Sequence, residues 1–380
     1  MSKSSRELTR WGVRTGQAQV HENLRRALVR QLKNVSDASP KDSGAISERV
    51  LRSYGCMTAR FDVDVDAHAQ GLLAFDEAPV SLGLYPLVRA RHDRIILTGT
   101  GESHFAALPS WRRLVSRGRA AWWVEAGQLV DSPELITPDS LLIVTSWSRM
   151  CGELAAFLEK FNEASRPAAV VAITDEFSSP LAEAADCEIL LRSHSLGRGK
   201  GFLNALAAHD YLASMVLSED SDDVGLTARV VASTRNPTPL DRVAHDVAAN
   251  PQMSMAYIGF REHAAEALHA SLLTTKETGI SAEGYIGGQF RHGPLRRADE
   301  NLTAMIFSGR DPIANASACR LAAELVAAGS TVITVAGVGV AGAINIPSPA
   351  VHLSGQVAHG VVVAEHFVAA LAAHASLAPR

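Results

Sequence analysis

"RIILTGTGESH", residues 94 to 104, is the stretch whose reading decides the fold. Ile95, Ile96, Leu97 and Thr98 form an apolar run too short for a helix, Gly99 and Gly101 end it, and Glu102-Ser103-His104 opens a stretch of helical character. A strand buried on both faces, a glycine turn and a helix make the first half of a βαβ unit. Further runs of the same kind follow: "AAWWVE" (120–125), "SLLIVTS" (140–146), "AAVVAIT" (168–174) and "CEILL" (187–191), alternating with helical stretches. The series then repeats with "MAYIGF" (255–260), "TAMIFSG" (303–309), "TVITVAG" (331–337) and "VHLSG" (351–355), separated by segments such as "SACRLAAELVAAG" (317–329). The pattern predicts an α/β protein with two similar doubly wound parallel sheets. Their domains are expected at 57–220 and 235–380, joined through the acidic, turn-rich "EDSDDVG".

The 380 residues suit two ordinary domains, and 47% hydrophobic residues supply their cores. Apolar stretches are interrupted before they reach the length of a bilayer span, and the N-terminus lacks the apolar core of a signal peptide, so the expectation is a cytoplasmic protein without membrane partners. Cys56, Cys151, Cys187 and Cys319 lie far apart and form no metal or redox pair. Charge divides the chain. Residues 1–56 hold eleven Lys and Arg against five Asp and Glu, or +6, which leaves −10 for the remainder. This segment reads as a basic extension with one helix near Val20–Leu32 and a polar linker, "NVSDASPKDSG". It has no helix-turn-helix pattern, and no nucleic-acid partner is expected.

In such sheets ligands bind beyond the carboxyl ends of the strands. The turn at Gly99 and Gly101 permits close approach of the backbone, and Ser103 offers a hydroxyl to an anion. The dinucleotide fingerprint G-x-G-x-x-G is not completed. A neighbouring strand ends in "SWSRMCGEL" (146–154), where Ser146 and Ser148 stand two residues apart at an expected helix start. Helix capping accounts for one serine. An anion site accounts for the pair together with Ser103.

"GTGES", "SWSRMCGE", "AITDEFSSPLAEAADCEILL", "GRGKGFLNAL" and, above all, "KETGISAEGYIGGQFRHGPL" (276–295) resemble the tandem sugar isomerase (SIS) domain proteins. The resemblance covers roughly residues 60–378. It implies two flavodoxin-like domains, a phosphosugar held between them, and a homodimer with shared sites, because the histidine of H-G-P-L usually reaches the neighbouring subunit. It also implies that Glu277 is the catalytic base and His292 the ring-opening group. The chemistry asks for these types: one carboxylate shuttling a proton between C1 and C2, with a pKa raised by burial, and one histidine moving protons at the ring oxygen. Other roles are open to both. Glu277 could pair with Lys276 or Arg291, and His292 could serve as a turn residue. Glu283, the family's second glutamate, is left outside the catalytic pair.

Departures from the family pattern bear on the substrate. Arg149 and Cys151 replace a glycine and a threonine of the serine loop, Glu102 replaces a threonine and would repel a phosphate if it pointed inward, and Arg198 stands for a serine beside the retained Lys200. The substrate-binding set is therefore Ser103, Ser146, Ser148, Arg149, Cys151, Arg198 and Lys200, a modified anion site in which an arginine supplies the lost donors. The family's glutamine-hydrolysing domain and its lysine-bearing C-terminal tail are expected to be missing. The sequence thus predicts an enzyme acting at C1/C2 of a sugar phosphate or aminosugar phosphate, an isomerase or deaminase needing no cofactor or metal. A fructosamine-phosphate deglycase and a non-catalytic sugar-phosphate sensor are the alternatives.

Overall fold

The computed structural model describes residues 61–77, 83–147, 166–175, 179–193 and 201–375, which belong to one compact unit, Arg60–Arg380. The basic extension expected at 1–56 lies outside them.

Two five-stranded sheets form, and every strand pairing is parallel. The first contains β1 (Arg94–Gly99), β2 (Ala121–Glu125), β3 (Ser140–Thr145), β4 (Ala169–Thr174) and β5 (Cys187–Leu190), in the order β2-β1-β3-β4-β5. The second contains β6 (Ser254–Gly259), β7 (Ala282–Ile286), β8 (Leu302–Gly309), β9 (Thr331–Ala336) and β10 (Ile344–Pro347), in the order β10-β9-β8-β6-β7. Counted within its own sheet, each has the order 2-1-3-4-5 of flavodoxin-like folds, with its switch point between the first and third strands. The inner strands β3, β4 and β8 are buried from end to end, as their unbroken apolar runs require.

The structure corrects the second strand series. "VHLSG" is not a strand: from Leu353 it begins a helix of 23 residues, Leu353–Ala375. Val357, Val361, Ala364, Val368 and Leu371 recur there at helical spacing and are all buried. The remaining places in the sheet are taken by β7, "AEGYI", and β10, "INIP". Both are edge strands with little or no full burial, so neither shows the apolar run of a central strand. Within the expected join, residues 224–233 form a helix, Val224–Ser233, which packs on the helix Val65–Asp76.

The Leu353–Ala375 helix ties the two halves together. Val357, Ala358, Val361 and Val362 enter the core of the first sheet with Ile95, Leu97 and Ile143. Val363, Ala364, Phe367 and Leu371 enter the core of the second with Met255, Tyr257 and Phe307. By length and composition this helix could cross a membrane, but 67% of its most apolar window is buried within the protein.

Two glycines allow predictions of different size. At Gly259, the end of β6, an added Cβ would collide with the backbone of His263 and Ala264. Gly279 ends the helix Ala264–Thr278 in the left-handed region, φ 72°, with open space around it. Gly279→Ala is expected to cost about 1 kcal/mol through backbone conformation alone. Gly259→Ala is expected to cost about 3 kcal/mol or more, because fixed backbone cannot yield. Denaturant unfolding of the two variants checks the contrast.

Candidate functional site

The switch point of the first sheet gathers three chain segments. β1 ends at Gly99, where an added Cβ would lie 2.9 Å from the Thr145 carbonyl oxygen and 3.0 Å from the Ser103 carbonyl carbon, so the turn and the end of β3 close up on a glycine. Gly101 follows with φ 56°. The chain then enters the short helix Glu102–Phe105, in which Ser103 is buried and its backbone N–H donates to Thr100. The Ser103 hydroxyl has no hydrogen-bond partner among the described residues. β3 ends next door at Thr145, and the buried Ser146 donates its N–H to the Ile173 carbonyl at 2.9 Å. Trp147 lies against Gly201, whose added Cβ would fall 3.2 Å from the indole. Ser103, Ser146 and the start of the helix Gly201–Leu217 are thus brought to one end of one sheet. Ser148, Arg149, Cys151, Arg198 and Lys200 lie outside the described residues.

Two imidazoles unforeseen from the sequence stand behind these loops. His104 stacks on Trp123 with centroids 4.0 Å apart. His209, from the Gly201–Leu217 helix, shares a 2.9 Å hydrogen bond with the Thr145 hydroxyl. Burial lowers His104 to about 4; burial, then the neighbouring His104, lowers His209 to about 3. Lone histidines on otherwise apolar faces give a sequence reader no sign of this.

The second domain contributes the helix Ala264–Thr278. Glu277, near its end, is half-buried and has no hydrogen-bond or ion-pair partner among the described residues. Neither pairing open to it in the sequence is formed: Lys276 lies 3.9 Å from Glu102, and Arg291 binds Glu324 at 2.6 Å. Glu102 is turned towards that helix, with His269 Nδ1 also 3.9 Å away. Leu272, one turn before Lys276, approaches Gly101, so this face of the helix lies against the β1 loop. Glu283 sits exposed on the edge strand β7, where the Tyr285 hydroxyl and, at 2.6 Å, Arg297 hold its carboxyl below the usual range. His292 is exposed and ends the 3-10 turn Gly287–Arg291, its N–H donating to Gln289. No described contact joins its side chain to Ser103, Ser146 or Glu277. Among the described residues no group of His, Cys, Asp or Glu side chains is placed to hold a metal ion.

The corresponding switch point of the second sheet is filled. His263, just after β6, bonds Glu266 at 2.9 Å, and both are buried beneath Gly309 and Gly360, where any added Cβ would strike them. Burial pushes the Glu266 carboxyl up to about 7 against the pull of His263.

The described residues thus form two tandem flavodoxin-type α/β units, with Ser103 and Ser146 at the switch point of the first. Residues 88–213 match the family model described as SIS domain. Over 264 residues the chain is 25% identical to "Glutamine--fructose-6-phosphate aminotransferase [isomerizing] 2" of Bos taurus, covering 64% of this chain and 38% of that protein. The chain therefore spans well under half the length of this relative. In fold it is similar to the tagatose-6-phosphate ketose/aldose isomerase of Escherichia coli, with TM-score 0.68, 22% identity and coverage of 82% and 90% of the two chains. It is likewise similar to the C-terminal domain of glucosamine-fructose-6-phosphate aminotransferase from Francisella tularensis, with TM-score 0.67, 17% identity and coverage of 82% and 93%. These likenesses show a shared fold of two α/β units in tandem.

His104 and His209 set an acid limit on the site. Both have folded pKa values below the ordinary 6.5, so their contribution to stability is complete above about pH 6.5. It is lost progressively below that, as the unfolded chain takes up protons first. His209→Gln keeps a polar partner for Thr145 and removes one titration. Its melting temperature is expected to fall less steeply than the wild type's between about pH 7 and pH 4.

Proposed function

We propose that the protein is an enzyme acting at C1/C2 of a sugar phosphate or aminosugar phosphate, as an aldose/ketose isomerase or an aminosugar-phosphate deaminase. The reading is carried by one observation: the helix bearing Glu277 lies against the β1 loop bearing Ser103, through Lys276 to Glu102 and Leu272 to Gly101. In this reading Ser103, Ser146 and Ser148 receive the phosphate, with Arg149, Cys151, Arg198 and Lys200 completing the modified cradle. Glu277 removes the proton from C2 of the open-chain aldose and returns it to C1 through an enediol. A carboxylate without a competing ion-pair partner suits that shuttle. His292 opens the ring. Its exposure supports a further part of the proposal, that it works in the site of a second copy of the chain, in a homodimer in the cytoplasm.

Proton NMR in D₂O with hexose and aminohexose 6-phosphates, read for exchange at C1 and C2 and for released ammonia, tests the reading. Glu277→Gln is expected to lower exchange by roughly 10²–10⁴-fold while retaining ligand binding. Tight binding of one sugar phosphate with no exchange of any would overturn catalysis in favour of a sensor. Amino-acid release from a fructosamine 6-phosphate would instead mark a deglycase.

Shared sites have their own signature. Glu277→Gln and His292→Asn, each inactive alone, are expected to regain about a quarter of wild-type activity when their subunits are mixed and re-associated, because half the dimers then hold one intact site. Activity that stays absent in the mixture would show that both residues serve the same subunit.

A further inference from the structure

His269 is wholly buried on the Ala264–Thr278 helix, two turns before Glu277. Three separate elements close on its ring. Glu365, from the Leu353–Ala375 helix, lies 3.4 Å from Nε2; Glu102, from the β1 loop, lies 3.9 Å from Nδ1. Phe202, second residue of the Gly201–Leu217 helix, stacks on it at 4.1 Å. The charges continue on both sides. Glu365 meets the buried His68 at 3.0 Å, and Glu102 meets the half-exposed Lys276 at 3.9 Å. His68 and His269 outweigh the desolvation of Glu365 and hold its carboxyl at about 2. One end of this chain is sealed in the interior, while the other emerges beside Ser103 and Glu277.

A purely structural ion pair would have no reason to reach both sides of the substrate site. We propose that Glu102, His269 and Lys276 are positioning residues: His269, clamped by Glu102, Glu365 and Phe202, holds the Ser103 loop and the Glu277 helix in one geometry. This explains why a carboxylate stands in a phosphate loop. Glu102 is directed away from the anion and ties the loop to the second domain. The inference rests on the function proposed above, because only a substrate spanning Ser103 and Glu277 makes their relative placement matter.

The test uses the full chain with Glu102→Gln, Lys276→Met and the restoring variant Glu102→Asp. Glu102 and Lys276 are not fully buried, so these changes spare the core; His269→Gln, which strands Glu365, is made alongside them. Two quantities are read: KM and kcat for C1/C2 proton exchange on the sugar phosphate the wild type accepts, and amide hydrogen exchange over residues 99–106 without ligand. Glu102→Gln and Lys276→Met are expected to raise KM and lower kcat together, by roughly tenfold or more in kcat/KM, as loop and helix lose their mutual placement. Both variants and His269→Gln should speed amide exchange in the β1 loop, and Glu102→Asp should recover most of both effects. Unchanged kinetics and unchanged loop exchange in Glu102→Gln and Lys276→Met would overturn the proposal. Should the wild type turn over no sugar phosphate, the functional reading falls, and loop exchange alone still decides whether this chain of charges holds the loop.

Discussion

A carboxylate taken out of water must bring its counter-charge with it. Glu365 is 1% exposed, in the middle of a helix whose other buried residues are Gly, Val, Ala, Phe and Leu. The imidazoles of His68 and His269 face it from two other helices, at 3.0 and 3.4 Å. Three helices distant in sequence thereby meet at polar side chains as well as through apolar packing. Apolar contacts alone tolerate sliding, and a charge left without its partner does not. Glu102, on the β1 loop, lies 3.9 Å from the other nitrogen of His269.

The two sheets share one topology but differ at their switch points. In the first, the backbone closes up at Gly99, and the buried Ser103 and Ser146 follow the strand ends. In the second, Gly309 and Gly360 accommodate His263 and Glu266, which occupy the corresponding position themselves. Glycine serves both ends in different senses: one brings backbone to backbone around a site, the other makes room for buried side chains. The second domain contributes to the proposed site from a different place, through the end of its Ala264–Thr278 helix.

The inner strands were legible because each is buried on both faces and therefore spelled as an apolar run. β7 and β10 were not, since edge strands half in water retain Glu283 or Asn345 and lose the signal. The Leu353 helix was misread at its start, where Val351-His352-Leu353 looks like a strand until the helical spacing of the following residues is followed. For the proposed site, Ser103 and Ser146 were singled out by their places at strand ends, and Glu277 by the family resemblance. The direction of Glu102 could not be read. A side chain beside an anion loop has two ways to turn, and the groups that decide it, His269 and Lys276, come from the other domain. The buried neutral histidines His104 and His209 were equally silent, because nothing in a sequence tells a core imidazole from a solvated one.

The pairing of His68 with Glu365 has a consequence for how the molecule is made. The first domain's core also needs Val357, Ala358, Val361 and Val362 from the same late helix. A ribosome adding roughly 5–20 residues per second needs about 15–60 s to pass from His68 to Glu365. For about the last 9–35 s of that interval, after β5 ends at Leu190, the first sheet has all its strands yet lacks part of its interior. The two halves therefore do not mature one after the other as independent units. The nascent first domain waits with apolar surface uncovered, a natural client for chaperones, until the last helix arrives.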